Sequence, residues 1–81
     1  MARIRESEVQ AQVRRINLAL GRPTGYARGA IILQGAYGGW QVQEIMSDQG
    51  SVRSLTSGFR PLREASDYLA GMEAGIEARK A

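Results

Sequence analysis

The run Gly35-Ala36-Tyr37-Gly38-Gly39-Trp40 lies between the apolar segment Ala30-Ile31-Ile32-Leu33-Gln34 and the alternating stretch Trp40-Gln41-Val42-Gln43-Glu44-Ile45. Three glycines around a tyrosine, ahead of strand-like residues, mean that the backbone reverses tightly or approaches another segment where a Cβ would block it. Such a run predicts a β-hairpin with two aromatic rings, Tyr37 and Trp40, displayed beside the turn. It is not a phosphate loop. It lacks the Gly-x-x-x-x-Gly-Lys-Ser/Thr pattern and precedes a strand instead of a helix.

Helical signals bracket this hairpin. Ser7-Glu8-Val9-Gln10 has the Ser-x-x-Gln form of a capping box with Ser7 as N-cap. Val9, Val13, Ile16 and Leu20 then recur on one helical face, Gly21 suits the left-handed C′ position, and Pro23 stops the helix. The expected first helix runs from Glu8 to Leu20. Arg22-Pro23-Thr24-Gly25 reads as a type I turn. A second helix is expected from Pro61, placed at its first helical position, to Ala78, with Leu62, Ala65, Leu69, Met72 and Ile76 as its apolar stripe.

Three strands are expected between the helices: Ala30 to Gln34, Trp40 to Met46, and a weaker one from Ser51 to Thr56, with a reversal at Ser47-Asp48-Gln49-Gly50. Ser57-Gly58-Phe59-Arg60 reads as a loop. Alternation in the second strand is imperfect, because Trp40 and Val42 share a face while Ile45 falls on the other. Either a bulge resets the strand or both faces are covered, and two helices are at hand to cover them. The fold class is therefore α+β, in the order α-β-β-β-α: a three-stranded antiparallel meander flanked by two helices, in one domain spanning residues 1–81. Gly71 and Gly75, one turn apart in the second helix, suggest close backbone packing against the sheet or the first helix, or a homodimer seam.

The ionisable inventory excludes much chemistry. The chain has no Cys and no His, which removes thiolate nucleophiles, His general bases and every Cys- or His-ligated metal site. No catalytic residue, metal site or cofactor is expected, and the activity expected is stoichiometric binding, not catalysis. Ten of the eleven basic residues are Arg, a bias that a GC-rich genome produces and that also suits bidentate contacts to carboxylates and phosphates. The net charge of +3 is uneven: +4 through Trp40 and −1 beyond it. A basic N-terminal half favours an anionic partner. The N-terminus has no long apolar region and no segment approaches the ~20 apolar residues of a membrane span, so the expected location is cytoplasmic.

The candidate binding residues are Tyr37, Trp40, Arg14, Arg15 and Arg28. Tyr37 and Trp40 can stack on a base or centre a protein interface; the competing reading for Trp40, as the single tryptophan of a small domain, is the core. Arg14 and Arg15, with Arg22 and Arg28 just beyond, can grip phosphate or an acidic protein surface, or simply form a solvated helix face. Glu73 and Glu77 read as a solvated face more readily than as a divalent-ion site. The element order is that of the double-stranded RNA-binding domain, but that module needs a basic cluster opening its last helix. Here the helix opens Pro61-Leu62-Arg63-Glu64 and continues through Asp67, Glu73 and Glu77.

Three segments, Ile16-Asn17-Leu18-Ala19-Leu20-Gly21-Arg22-Pro23, Gly35-Ala36-Tyr37-Gly38-Gly39-Trp40 and Leu69-Ala70-Gly71-Met72, resemble a group of small accessory proteins of tailed phages and prophages. Those combine an Asn-x-x-x-Gly-x-Pro helix end, an Ala-Tyr-Gly-Gly strand turn, a Gly-containing hairpin and a final helix ending Leu-x-Gly-Met/Ile. The likeness spans roughly residues 9 to 76, and the departure is at Ser47–Ser51, where only Gly50 stands in place of a Gly-Gly pair. The resemblance implies a phage-encoded binding protein, acting in the cytoplasm of the infected bacterial host, that inhibits a host or anti-phage defence component by occupying its surface. The alternative is a nucleic-acid- or nucleotide-binding module, including one that sequesters a nucleotide signal.

Overall fold

The computed structural model describes residues 4–80, with the side chain of Lys80 excepted, so Arg3 of the basic half lies outside the described residues. The elements are α1 (Glu6–Ala19), β1 (Ile31–Ala36), β2 (Gly39–Ile45), β3 (Val52–Ser54) and α2 (Leu62–Lys80). The strands form one antiparallel sheet in the order β1-β2-β3. The predicted α+β order is the one observed.

Helix α1 starts earlier than expected. Arg5 is the N-cap, in extended conformation and with no side-chain cap, so Ser7 lies inside the first turn. Ile4, one residue before the cap, packs against the core that contains Val9, and these are the two positions of a hydrophobic staple. Glu6 and Glu8 occupy the first turn, where carboxylates favour the positive end of the helix dipole. The staple and the two acids take the place of the serine cap. At the other end Gly21 has φ +70°, its N–H donates to Leu18 O (3.2 Å), and Arg22 N–H donates to Asn17 O (2.7 Å). These two bonds define a Schellman motif. For α2, the Pro61 carbonyl accepts from Glu64 and Ala65 N–H, so Pro61 is the N-cap residue and not the first helical one. The hydrogen-bonded turn before β1 falls at Ala27–Ala30 (2.9 Å), later than the predicted Arg22–Gly25 turn.

Both helices cover the same face of the sheet. Val9, Val13 and Ile16 of α1 and Ala65 and Leu69 of α2 form one buried cluster with Ile31, Leu33 and Val42, and Trp40, Leu55, Leu62, Met72 and Ile76 pack against it. The two helices are tied by Arg15 to Glu73 and by Gln12 to Ser66. Both faces of β2 are indeed buried, but not because a helix lies on each. On the face away from the helices Gln43 donates to Gln41 (2.6 Å) and Gln41 to the Thr56 carbonyl (3.3 Å), while Ile45 is buried beside the segment Tyr26–Arg28. Gly71 and Gly75 are both exposed, with nothing near the place a Cβ would occupy. They pack on neither the sheet nor α1.

Strand β3 is shorter than predicted for a visible reason. Leu55 N–H still reaches Val42 O (2.8 Å), but the next acceptor, for Val42 N–H, is the Thr56 hydroxyl (3.1 Å) in place of a backbone carbonyl. The chain leaves the ladder there and rejoins it at an isolated antiparallel bridge between Trp40 and Arg60.

Candidate binding surface

The Trp40–Arg60 bridge fixes the end of the sheet at which the candidate aromatics lie. Trp40 N–H donates to Arg60 O (2.8 Å), and Arg60 N–H donates back to Trp40 O (2.9 Å). This holds residue 59 beside the β1–β2 hairpin. A Cβ on Gly39 would stand 2.8 Å from the Phe59 carbonyl carbon and 2.9 Å from its oxygen, so only glycine lets the two backbones meet. Phe59 then sets its ring edge-on to Tyr37, with centroids 5.4 Å apart and planes at 69°.

Tyr37 itself occupies an unusual position. Ala36 pairs with Gly39, so Tyr37 and Gly38 are the two central residues of the hairpin turn, with φ of +51° and +72°. Two positive φ values are the mark of a type I′ turn, which Asn-Gly or Gly-Gly fills most easily. A tyrosine there carries left-handed strain of about 1 kcal/mol. Its side chain is 94% exposed. Neither backbone preference nor burial accounts for the aromatic ring.

Trp40 is half-buried at the core margin. Its six-membered ring lies against Gly35, where an added Cβ would be 2.8 Å from Cζ3 and 3.1 Å from Cε3. Beside Trp40 a groove of about 440 Å³ runs between the β3–α2 connection and α2, lined also by Leu55, Thr56, Arg60, Ala65 and Tyr68. Arg60 Nε bonds the Glu64 carboxylate at its rim (3.1 Å), both side chains at least half exposed. The hairpin end thus joins Tyr37, Phe59, Trp40 and Tyr68 with one exposed ion pair.

The predicted basic residues do not gather here. Arg15 makes a two-point contact to Glu73 (3.1 and 3.3 Å), and that hydrogen bond, with the charge of Glu73, raises its already high pKa. Arg14, one residue along, turns to a different side and lines a groove beside β1. Arg28 lies at the far end of the sheet, near Asp48 and Gly50. Arg22 donates to Gly29 O and Glu44, both at 2.8 Å, and so braces the loop onto β2. Of the five predicted site residues, the fold brings together Tyr37 and Trp40. Phe59, Arg60 and Tyr68 were missed. The signal for the first two was the close-approach glycine Gly39; for Tyr68 it was a large ring beside, not within, the α2 stripe.

Among the described residues no three His, Cys, Asp or Glu side chains gather as a metal site, and no helix is long and apolar enough to cross a membrane. No family model, curated protein or solved structure matches the chain.

Proposed function

We propose that the protein is a non-catalytic binding module whose contact surface is the hairpin end, with Tyr37 at its centre and Phe59, Trp40, Arg60 and Tyr68 around it. The observation that carries this reading is Tyr37, 94% exposed in a left-handed turn position. Tyr, Trp and Arg are the residues most enriched where binding energy concentrates. The resemblance to small phage accessory proteins supports a host or anti-phage defence protein as the partner, inhibited stoichiometrically by occupation of its surface. A protein partner is favoured over nucleic acid because Arg14, Arg15 and Arg28 diverge and Arg60 is already paired with Glu64, so the predicted basic residues form no track beside the aromatics.

The test is capture from bacterial lysate on immobilised protein, with and without nuclease. A partner retained after nuclease treatment by the native chain and lost by Tyr37→Ala supports the reading. Truncation of a central aromatic weakens binding by roughly thirtyfold or more. Nuclease-sensitive capture points instead to nucleic acid. Equal capture by a folded Tyr37→Ala variant removes the hairpin end from the interface.

A further inference from the structure

Strand β1 forms one edge of the sheet, and the phase of its ladder can be read from the bonds at its ends. Ile45 N–H donates to Ala30 O (2.9 Å), and Ala36 faces Gly39 across the two-residue turn. In an antiparallel ladder, bonded pairs alternate. Ala30, Ile32, Gln34 and Ala36 therefore turn their N–H and C=O groups toward β2, while Ile31, Leu33 and Gly35 turn theirs outward. Asn17 takes both outward groups of Ile31 with its amide, at 2.9 Å each. No hydrogen-bond partner among the described residues reaches those of Leu33 and Gly35.

The usual protections of a sheet edge are missing from this stretch. Ile31–Ala36 contains no charge, no Pro and no bulge, whereas the opposite edge, β3, is three residues long and carries Arg53. Instead of being covered, the β1 edge opens into a groove of about 250 Å³ bounded by Val13 and Arg14 of α1 on one side and Tyr26 of the loop on the other. The Arg14 side chain is exposed and makes no ion pair or hydrogen bond among the described residues. It is the single charged residue lining the groove.

We infer that this edge docks one extended segment of a partner protein, which adds a strand to the sheet through Leu33 and Gly35 and places an acidic side chain against Arg14. The proposal rests on the binding-module reading and supplies the backbone conformation and charge of the partner segment. Strand addition of this kind draws affinity from main-chain bonds and specificity from the alternate side chains. A second copy paired antiparallel through this edge does not fit. Pairing two β1 edges antiparallel puts both α1 helices on the same side of the joined sheet. Adjacent strands lie about 4.8 Å apart, and α1 already reaches its own edge through Asn17. The two helix ends would crowd one another there, since helix packing needs roughly 8–10 Å between axes. A lone strand carries no such helix.

The experiment uses the full chain, labelled with nitrogen-15, and two capped heptapeptides, Thr-Val-Thr-Asp-Thr-Val-Thr and its twin with Lys in place of Asp. The acidic peptide is expected to shift the Leu33 and Gly35 amide signals and to slow their hydrogen exchange. The basic twin should bind about threefold more weakly or worse, and Arg14→Glu should reverse that preference. N-methylating the acidic peptide at alternate residues should abolish binding in one phase of alternation and spare it in the other. Failure of the acidic peptide to bind, binding without protection of Leu33 and Gly35, or equal affinity for the two charge forms overturns the proposal. So does concentration-dependent protection of the two amides with no peptide present, which identifies a second copy as the occupant. Should Arg14→Glu not fold, the two peptides on the native chain still decide. Because none of these measurements involves Tyr37, a failed edge and a failed hairpin surface give different results.

Discussion

Asn17 acts on Ile31 as a neighbouring strand would: its Nδ2 donates to the Ile31 carbonyl and its Oδ1 accepts from the Ile31 N–H, both at 2.9 Å and fully buried. The same residue's backbone carbonyl closes the Schellman motif by accepting from Arg22. Arg22 in turn bonds Gly29 O and Glu44. One helix end is thereby stapled to the start of β1 and the middle of the sheet, with the Asn-x-x-x-Gly-Arg-Pro segment supplying every contact.

Replacing Asn17 by Leu should cost about 3 kcal/mol, because a buried N–H and a buried C=O both lose their partners. Chemical denaturation measures it. Asn17→Asp is the sharper variant. Its carboxylate still accepts from Ile31 N–H but faces the Ile31 carbonyl with negative charge, so burial raises its folded pKa. Its destabilisation relative to the native chain should shrink as pH falls and the protonated acid can donate. A gap between variant and native midpoints that does not narrow with acidification would rule out the carbonyl contact as its cause.

The glycine run makes two different demands. At Gly39 a Cβ meets the backbone of Phe59 and Arg60, at 2.8 to 3.0 Å, and backbone held by the Trp40 bridge cannot yield. At Gly35 it meets the Trp40 ring at 2.8 Å, which can tilt. Gly39→Ala should therefore lower stability by about 2 kcal/mol or more, near the upper part of the range for overpacking. Gly35→Ala should lose about 1 kcal/mol while shifting the tryptophan fluorescence. Equal losses at the two sites would contradict the distinction.

The element order was legible because its signals are local: two apolar stripes and glycines between strand-length segments. The close-approach reading of Gly35 and Gly39 was legible too, though not what approached. The residue that meets Gly39 is fixed by a non-local event, the return of the chain at Arg60 after it leaves the ladder at Thr56. Asn17 was visible only as the start of the Asn-x-x-x-Gly-x-Pro helix end; its partner was not, since a polar residue beside a helical stripe acquires its role from Ile31, across the intervening loop. The divergence of Arg14 and Arg15 could have been foreseen. Adjacent helical residues do not share a face, and Glu73 claims one of the two.

Acid should weaken the fold through Glu44. Its carboxylate accepts from Arg22 at 2.8 Å and from Arg53 at 2.7 Å and is 15% exposed. The hydrogen bond from Arg22 holds its pKa below the ordinary 4.5, with Arg53 adding to the effect and burial opposing it. A carboxyl whose folded pKa lies below its unfolded value binds its proton first in the unfolded chain. Its contribution is therefore complete above the ordinary value of 4.5 and is lost as pH falls through the lower, folded value. Glu44→Gln should be less stable than the native chain at about pH 7 and should lose less on going to about pH 3. Parallel pH profiles for the two proteins would show that the Arg22–Glu44–Arg53 cluster does not set the acid limb.

Tyr37 sets stability against binding at a single position. With φ at +51°, it occupies a turn position that Asn, glycine apart, fills with least strain, and Asn-Gly is a preferred pair for a type I′ turn. Tyr37→Asn relieves about 1 kcal/mol of backbone strain and gives up the edge-to-face contact with Phe59. Aromatic pairs contribute roughly 0.5–1.5 kcal/mol, and a ring that is 94% exposed belongs at the low end. The variant should be as stable as the native chain or more so, by a few tenths of a kcal/mol, in thermal or chemical unfolding. It should also lose capture of the partner, as Tyr37→Ala does. A residue whose removal leaves the fold unharmed while abolishing binding is kept for the binding. If Tyr37→Asn instead unfolds more easily by about 1 kcal/mol or more, the ring is a structural cap on Phe59, and the interface has to be sought along the groove beside Trp40 and Tyr68.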